Sequence, residues 1–265
     1  MRCAFIAMSV VGVISSFMTV VGFSLEDIFC NIDWKLRLGI LVLFYLTLFL
    51  IIVVLYICVM SKGISVKIRG ITVKIKHGNI FFADGWRMIP CNGYYDTDDI
   101  TIHSLNNQFL DKIKYNKHTS EKLNNVIRDK DRCNNKKAAK IEFPLGHIKT
   151  YEHGNDGYYM LLSFARFDAR EKREHLSWSQ YEECLKKMWC EISRTYIDKP
   201  VFLPLIGNGI TRFTDRSEKP NPEELLHCIL YTLCTSDIQL NKPITILLKK
   251  DLMQKMDIYN FRGIF

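Results

Sequence analysis

The rhythm of hydrophobic and polar positions changes once along this chain. From Cys3 to Phe23, and again from Leu38 to Met60, no charged residue interrupts the apolar run. At about 1.5 Å rise per residue, each run is long enough to cross a hydrocarbon core roughly 30 Å thick. Only Ser24 to Arg37 separates them. The pattern predicts a transmembrane helical hairpin over residues 1–60, with helices at about 3–23 and 38–60. A cleaved signal peptide would have a shorter apolar core closed by a small-x-small site, which the sequence lacks.

After Ser61 the pattern is that of an α/β domain over residues 61–265. Val66, Ile68, Ile71, Val73 and Ile75 are interleaved with lysine, arginine and threonine at a period near two, which predicts one or two half-exposed strands. Trp86 to Ile89 is a further strand candidate. Pro90 to Asp96 reads as the loop leaving it, since Asn, Gly and Asp favour turns. His103 to Tyr115 and Ser120 to Asp129 are helix candidates within a polar, lysine-rich stretch. Basic residues there are mixed with Asp111, Glu121, Asp129 and Asp131, as on a solvated face. Gly146 to Tyr151 and Tyr158 to Phe167 form a hairpin pattern, and the second strand is apolar enough to be central. Ser177 with Gln180, or Ser179 with Glu182, makes a capping box. Tyr181, Leu185, Met188, Trp189, Ile192 and Tyr196 follow at helical spacing. A buried strand begins at Val201. Asn221, Pro222, Glu223 and Glu224 then supply a cap, a first-turn proline and acids for a helix. Its core face is Leu225, Leu226, Ile229, Leu230 and Leu233. Pro243 leads into a last strand, ITILL. The order of elements predicts a three-layer α/β domain with a mixed sheet.

Charge divides the chain in the same place. The net charge is +8, and residues 1–60 hold three basic and three acidic side chains, so the whole excess lies beyond them. A basic domain suits an anionic ligand, anionic lipid or nucleic acid, and equally a plain solvated surface. Lys62, Lys67, Arg69, Lys74 and Lys76 follow the second apolar run before any acid, against two basic residues in the short loop. By the positive-inside rule both termini are cytoplasmic. Gly12, Ser15, Ser16, Thr19 and Gly22 give the first helix small residues for close packing. Neither run carries an ionisable group, so a charge-lined pore or proton relay is not expected. Nine cysteines without a CxxC pair suit a reduced domain. The seven histidines are scattered, and no metal or catalytic constellation emerges.

Candidate chemistry concentrates in VFLPLIGNGITRF, Val201 to Phe213. Ligands of open α/β sheets sit at the carboxyl ends of strands. Gly207-Asn208-Gly209 there can take positive φ and present a nest of amides to an anion such as a phosphate. A plain tight turn accounts for a lone GxG equally well. A Walker loop needs GK[ST] after the glycines, and a dinucleotide fingerprint needs a third glycine where Arg212 stands. Tyr94 and Tyr95 could stack on a base or ribose, or pack on the sheet edge.

Together these segments resemble a macro domain. The carriers are Gly78-Asn79-Ile80 between two strands, Pro90-Cys91-Asn92, and Gly207 to Ile210 after a late strand. WRMIPCNGYYDT, LLSFARFD and PLIGNGITRF, ahead of a capped helix, resemble the macro-like domain of membrane-anchored Thoeris anti-phage effectors. The resemblance covers essentially the whole chain. It implies an ADP-ribose-type nucleotide signal, made from NAD by a TIR-domain partner, as ligand. It also implies a bacterial inner-membrane location, homo-oligomerisation on activation, and disruption of membrane lipid with cell death. The ligand-binding residues it implies are Asn79, Ile80, Asn92, Gly93, Tyr94, Tyr95, Asp96, Gly207, Asn208, Gly209, Ile210, Thr211, Arg212 and Phe213. Asn79 stands where macro domains usually have an aspartate for the adenine amino group. YYDTDD stands where catalytic macro domains have a glycine-rich segment, so no enzyme, cofactor or metal is expected. The alternatives are a membrane-tethered ADP-ribosyl hydrolase, or a non-catalytic anchor that binds lipid or nucleic acid.

Overall fold

A computed structural model describes residues 33–61, 63–95, 104–113, 142–154, 157–168, 173–195, 199–209 and 211–264, with single positions at Ser9, Gly12, Ser16, Leu123, Asn125 and Val126. The chain divides into two compact units, Met1–Lys62 and Gly63–Phe265.

The first unit contains α1, Trp34–Ser61. It turns ten large apolar side chains outward between Leu36 and Val54. Its side chains are described without a break only from Val42 to Val54, which is about 20 Å of helix. Among the described residues no helix is long and apolar enough to cross a membrane. The transmembrane hairpin expected from the two uncharged runs is therefore not found. Its first helix lies outside the described residues, apart from helical Ser9, Gly12 and Ser16.

Among the described residues, the second unit is built on a nine-stranded mixed sheet. Its strands are β1 (Ile64–Ile68), β2 (Ile71–His77), β3 (Trp86–Asn92), β4 (Ile148–His153), β5 (Gly157–Asp168), β6 (Arg173–Leu176), β7 (Val201–Pro204), β8 (Arg212–Phe213) and β9 (Ile244–Leu248). The sheet order is β1-β2-β9-β7-β3-β5-β6-β8, with β4 also on β5. Five neighbours, β2, β9, β7, β3 and β5, run parallel, so their carboxyl ends share one edge. β1 closes on β2 as an antiparallel pair, and β4 on β5 likewise.

Alternation along the central strands sorts side chains into two cores. Met88, Met160, Leu162 and Phe164 face one, while Ile89, Cys91, Tyr159 and Leu161 face the other. The first is covered by α3 (Trp178–Thr195) and α4 (Pro222–Thr235), and the second by α2 (Leu105–Lys112) and a short turn at Ile80–Phe82. This is the three-layer arrangement that the sequence predicts. Ser177 and Gln180 form the capping box, with Gln180 N donating to Ser177 Oγ at 3.2 Å and Ser177 N to Gln180 Oε1 at 2.9 Å. Asn221 Oδ1 accepts from Glu223 N at 3.1 Å to start α4, whose five expected core leucines and isoleucine are buried. Trp189 Nε1 ties the two helices by donating to Thr232 Oγ1 at 3.1 Å.

Several expectations need correction. Pro90, Cys91 and Asn92 belong to β3, not to a loop. β7 pairs with β3 only at Trp86 and Arg87, so beyond that point a proline sacrifices no ladder bond on that side. The helix expected over His103–Tyr115 spans Leu105–Lys112, capped by Ser104 Oγ accepting from Asn107 N at 3.0 Å. Most of the second helix candidate, Ser120–Asp129, lies outside the described residues. β6, β8 and a last short helix, α5 (Lys250–Lys255), carry too little periodicity to be read from sequence.

Candidate functional site

A pocket lies along the shared carboxyl edge of the parallel strands. Pro90 and Cys91 reach it from β3, Phe164 from β5, Pro204 from β7 and Leu247 from β9. The loop Leu205–Gly209 and Thr211 line it, as do Ser104, Leu105 and Gln108 from the start of α2, with Lys249 and Leu252. The first turn of α2 brings the positive end of a helix dipole to the pocket.

The glycine loop takes its shape from the core beneath it. Asn208 N donates to Leu205 O at 3.3 Å, closing a turn. Gly207 takes φ +87°, and a Cβ there would lie 3.1 Å from Leu225 Cδ2 and 3.3 Å from Tyr181 Cε2. Both handedness and crowding demand glycine at that position. Tyr181 Oη donates to Ile206 O at 2.9 Å, and burial holds this phenol well above its ordinary pKa, so it stays a donor. Gly209 differs from the expectation for the pair. Its φ is not positive and nothing lies within 4 Å of where its Cβ would be. Lys219 Nζ donates to Asn208 O at 2.7 Å and Gly209 O at 2.9 Å.

Several polar groups of the lining have no partner among the described residues: the Asn208 and Gln108 amides, the Thr211 hydroxyl, the Lys249 ammonium and the Gly209 N–H. Thr211 is only 7% exposed. Among the described residues of the lining, Lys249 is the one that carries a charge, and no carboxylate or histidine accompanies it. Such a surface attracts an anion, with apolar walls to seat a neutral portion of the same ligand.

Of the residues singled out in the sequence, Gly207, Asn208, Gly209 and Thr211 line this pocket. Asp96 and Ile210 lie outside the described residues. The others sit elsewhere. Asn79 is exposed and spends its Oδ1 on Phe81 N at 3.0 Å, while Ile80 is buried in the second core. Asn92 Oδ1 accepts from Tyr94 N at 3.2 Å. Gly93 N donates to Ala165 O at 3.0 Å, and Gly93 O accepts from Phe143 N at 2.7 Å. Tyr95 is not free to stack on a ligand. It is 3% exposed, donates Oη to His147 O at 2.9 Å and lies 3.0 Å from His147 Nδ1. Phe213 packs between Trp178 and Tyr181, with ring centroids 5.7 and 5.6 Å away. Arg212 is exposed in β8, paired with His175 of β6.

The sequence reading missed Ser104, Gln108, Phe164, Lys219 and Lys249. Lys249 carried a usable signal, because it directly follows ITILL and so stands at a strand's carboxyl end. Ser104 had another, as a cap residue ahead of the helical LNNQFL. Nothing local marks Phe164 or Lys219. Among the described residues no cluster of His, Cys, Asp or Glu could hold a metal ion.

Similarity to known proteins supplies the family. Two solved structures of mutant macrodomains from Oceanobacillus iheyensis, the second of them with ADPR, align over 74% of the chain and over 93% and 94% of their own lengths. They share 12% and 14% identity with it, at TM-scores of 0.46 and 0.40. A Thoeris protein ThsA from Bacillus amyloliquefaciens (strain Y2) is 33% identical over 247 residues, covering 88% of this chain and 82% of the relative. The family model of the Thoeris protein ThsA macro domain matches residues 73–249, from within β2 to just past β9. That span contains β3, β5, β7 and β9, the four parallel strands whose carboxyl ends line the pocket, and the chain belongs to the Thoeris ThsA macro-domain family.

Proposed function

We propose that this protein is a non-catalytic receptor and effector of anti-phage defence whose pocket takes an ADP-ribose-type nucleotide. The observation that carries the reading is the pocket at the strand carboxyl ends. It joins a glycine loop with an unpartnered amide to a lysine, two side-chain amides and the Thr211 hydroxyl, none of them partnered among the described residues. A pyrophosphate suits the loop and the lysine, and a ribose or base suits the amides and apolar walls. No aspartate, glutamate or histidine among the described residues of the lining could serve as a general base, which favours a receptor over a hydrolase.

In this reading a TIR-domain protein makes the signal from NAD, and binding drives the chain to self-associate at the bacterial inner membrane and disrupt it. The outward apolar side chains of α1 support a contact with lipid or with further copies. Both termini then face the cytoplasm, where the signal is made.

Calorimetry of full-length protein in detergent with ADP-ribose tests the receptor reading, with phosphate-free adenosine as the control. Binding of ADP-ribose and not of adenosine is expected, weakening as salt rises. Equal affinity for both would remove the anion site. Particle sizing and dye release from liposomes, with and without ADP-ribose, test the effector half. Unchanged size and no leakage under saturating ligand would overturn it.

A further inference from the structure

We propose that Lys219 is a positioning residue that locks the Asn208–Gly209 peptide with its N–H turned to the pocket. The inference deepens the anion-receptor reading and rests on it. Lys219 does not line the pocket. Its ammonium sits on the carbonyls of two successive loop residues, at 2.7 and 2.9 Å. The peptide joining those residues is trans, so the Asn208 carbonyl and the Gly209 N–H point in opposite directions. Holding the carbonyl on the Lys219 side leaves the N–H on the other side, where Gly209 meets the pocket. No described acceptor takes that N–H.

The peptide needs holding because little else in the loop prevents a flip. Glycine flanks Asn208 on both sides, and Gly209 has no atom within 4 Å of its Cβ position. The flipped peptide would aim a carbonyl oxygen at an incoming anion and repel it. A carbonyl pair bonded to a cation resists that flip, since charge-assisted bonds are stronger than neutral ones.

An exposed lysine usually contributes little because its stem wanders. Here the backbone on either side is tied down. Both Asp215 carboxylate oxygens accept from Trp178 N, at 3.0 and 2.9 Å. Arg216 pairs with Glu224 at 2.8 Å and lies 4.0 Å from the Trp178 ring centroid. Two residues after Lys219, Asn221 caps α4. The strap that presents Lys219 is thus fastened to the first turns of α3 and α4, and the ammonium is delivered to one place.

The test uses full-length protein in detergent, labelled with ¹⁵N-glycine, with the Gly209 resonance assigned by its loss in Gly209→Ala. Lys219→Met keeps the stem and removes the charge. Without ligand, the Gly209 amide in Lys219→Met is expected to shift and its solvent exchange to change several-fold, with the melting temperature unchanged. Affinity for ADP-ribose and for inorganic pyrophosphate is expected to fall about 10- to 50-fold. The loss should persist at high salt, and Lys219→Arg should restore most of it. An unchanged Gly209 amide would overturn the proposal, even if affinity fell, because the lysine would then act only as a charge. A shifted amide with full affinity would overturn its role in binding. Wild-type protein that binds neither probe would sink the receptor reading instead, and the amide comparison would still decide what Lys219 does to the loop.

Discussion

The segment Asn92–Tyr95, which begins on the last residue of β3, and the segment Leu205–Gly209, which follows β7, leave neighbouring parallel strands, and both set asparagine and glycine beside large side chains. In the first, hydrogen bonds join Asn92 to Tyr94, Gly93 to Ala165 and Phe143, and Tyr95 to His147. These polar groups are spent on the fold. The second is closed by the Asn208–Leu205 bond and braced from behind by Tyr181 and Lys219. It keeps an amide and a side-chain carboxamide at the pocket with no partner among the described residues. The difference follows from burial. A buried loop must satisfy its own backbone, whereas a loop at a cleft can leave donors for a ligand. Similar residue types thus serve packing in one place and recognition in the other.

The largest effect that would sharpen this contrast is a stability loss confined to the packed loop. Tyr95→Ala removes a buried ring and its bonds to His147, and should destabilise the domain by about 3–5 kcal/mol. Urea unfolding followed by tryptophan fluorescence measures it. The remaining folded protein should bind ADP-ribose with wild-type affinity. A variant that stays stable and loses binding would move Tyr95 into the site.

The converse change is Gly209→Val. Its φ is not positive and its Cβ position is empty, so the melting temperature should not move. A branched side chain at the pocket wall should nevertheless weaken ADP-ribose binding at least 100-fold, or about 2.8 kcal/mol at 1.4 kcal/mol per tenfold. Calorimetry beside a thermal melt separates the two quantities. Unchanged affinity would place the phosphate site elsewhere. Gly207→Val is the control, since its positive φ and the nearby Leu225 and Tyr181 side chains should cost stability as well.

These two loops also mark how far the sequence could be read. Helices α3 and α4 were legible because their caps and core faces repeat at helical spacing, from Ser177–Gln180 to Leu233. The central strand β5 was legible from its long apolar run. β8 is two residues long and takes its place from its partner β6, which no local pattern reveals. Half of the pocket was legible, because the glycine loop closes a strand in one continuous motif. The rest of the lining was not, because Ser104, Gln108 and Lys249 reach the pocket only after the chain has wound through the sheet. Sequence also could not separate the packed asparagine loop from the open one. Their residue types match, and what differs is which acceptors the fold brings near.

A smaller effect should appear in alkali, in the first core, beneath the open loop. Cys184 Sγ rests 3.7 Å from Ser163 O, beside the strand that pairs with Cys91. Burial pushes this thiol up to about 12. In the unfolded chain it ionises nearer 9, so the unfolded state sheds its proton first as pH rises. The stability it contributes is complete below pH 9 and is lost between about 9 and 12, at roughly 1.4 kcal/mol per unit. Urea unfolding at pH 8, 9 and 10 under reducing conditions should show a decline that Cys184→Ala reduces by about 1 kcal/mol, the remainder belonging to groups such as Cys228, which burial also pushes up to about 12. A wild-type slope equal to that of Cys184→Ala would deny the thiol this role.

The smallest expected effect concerns Asn79, which the macro-domain resemblance places at the adenine and the structure places on the packed side. Its Oδ1 caps the turn Ile80–Phe82 through Phe81 N at 3.0 Å, and its side chain does not reach the pocket lining. Asparagine and aspartate cap about equally well. Asn79→Asp should therefore change stability by no more than about 0.5 kcal/mol, which is ordinary for an exposed position. If the side chain only caps a turn, affinity for ADP-ribose should also stay within about twofold. If it also meets an adenine amino group, a carboxylate is the better acceptor, and the variant should bind ADP-ribose at least fivefold tighter while pyrophosphate binding is unchanged. Paired titrations of both probes on both proteins distinguish these outcomes. A gain specific to the nucleotide would make Asn79 a ligand residue and extend the site past Leu247 to the end of β2. Equal affinities would leave the turn after β2, like the Asn92 loop, as part of the scaffold that holds the open loop in place.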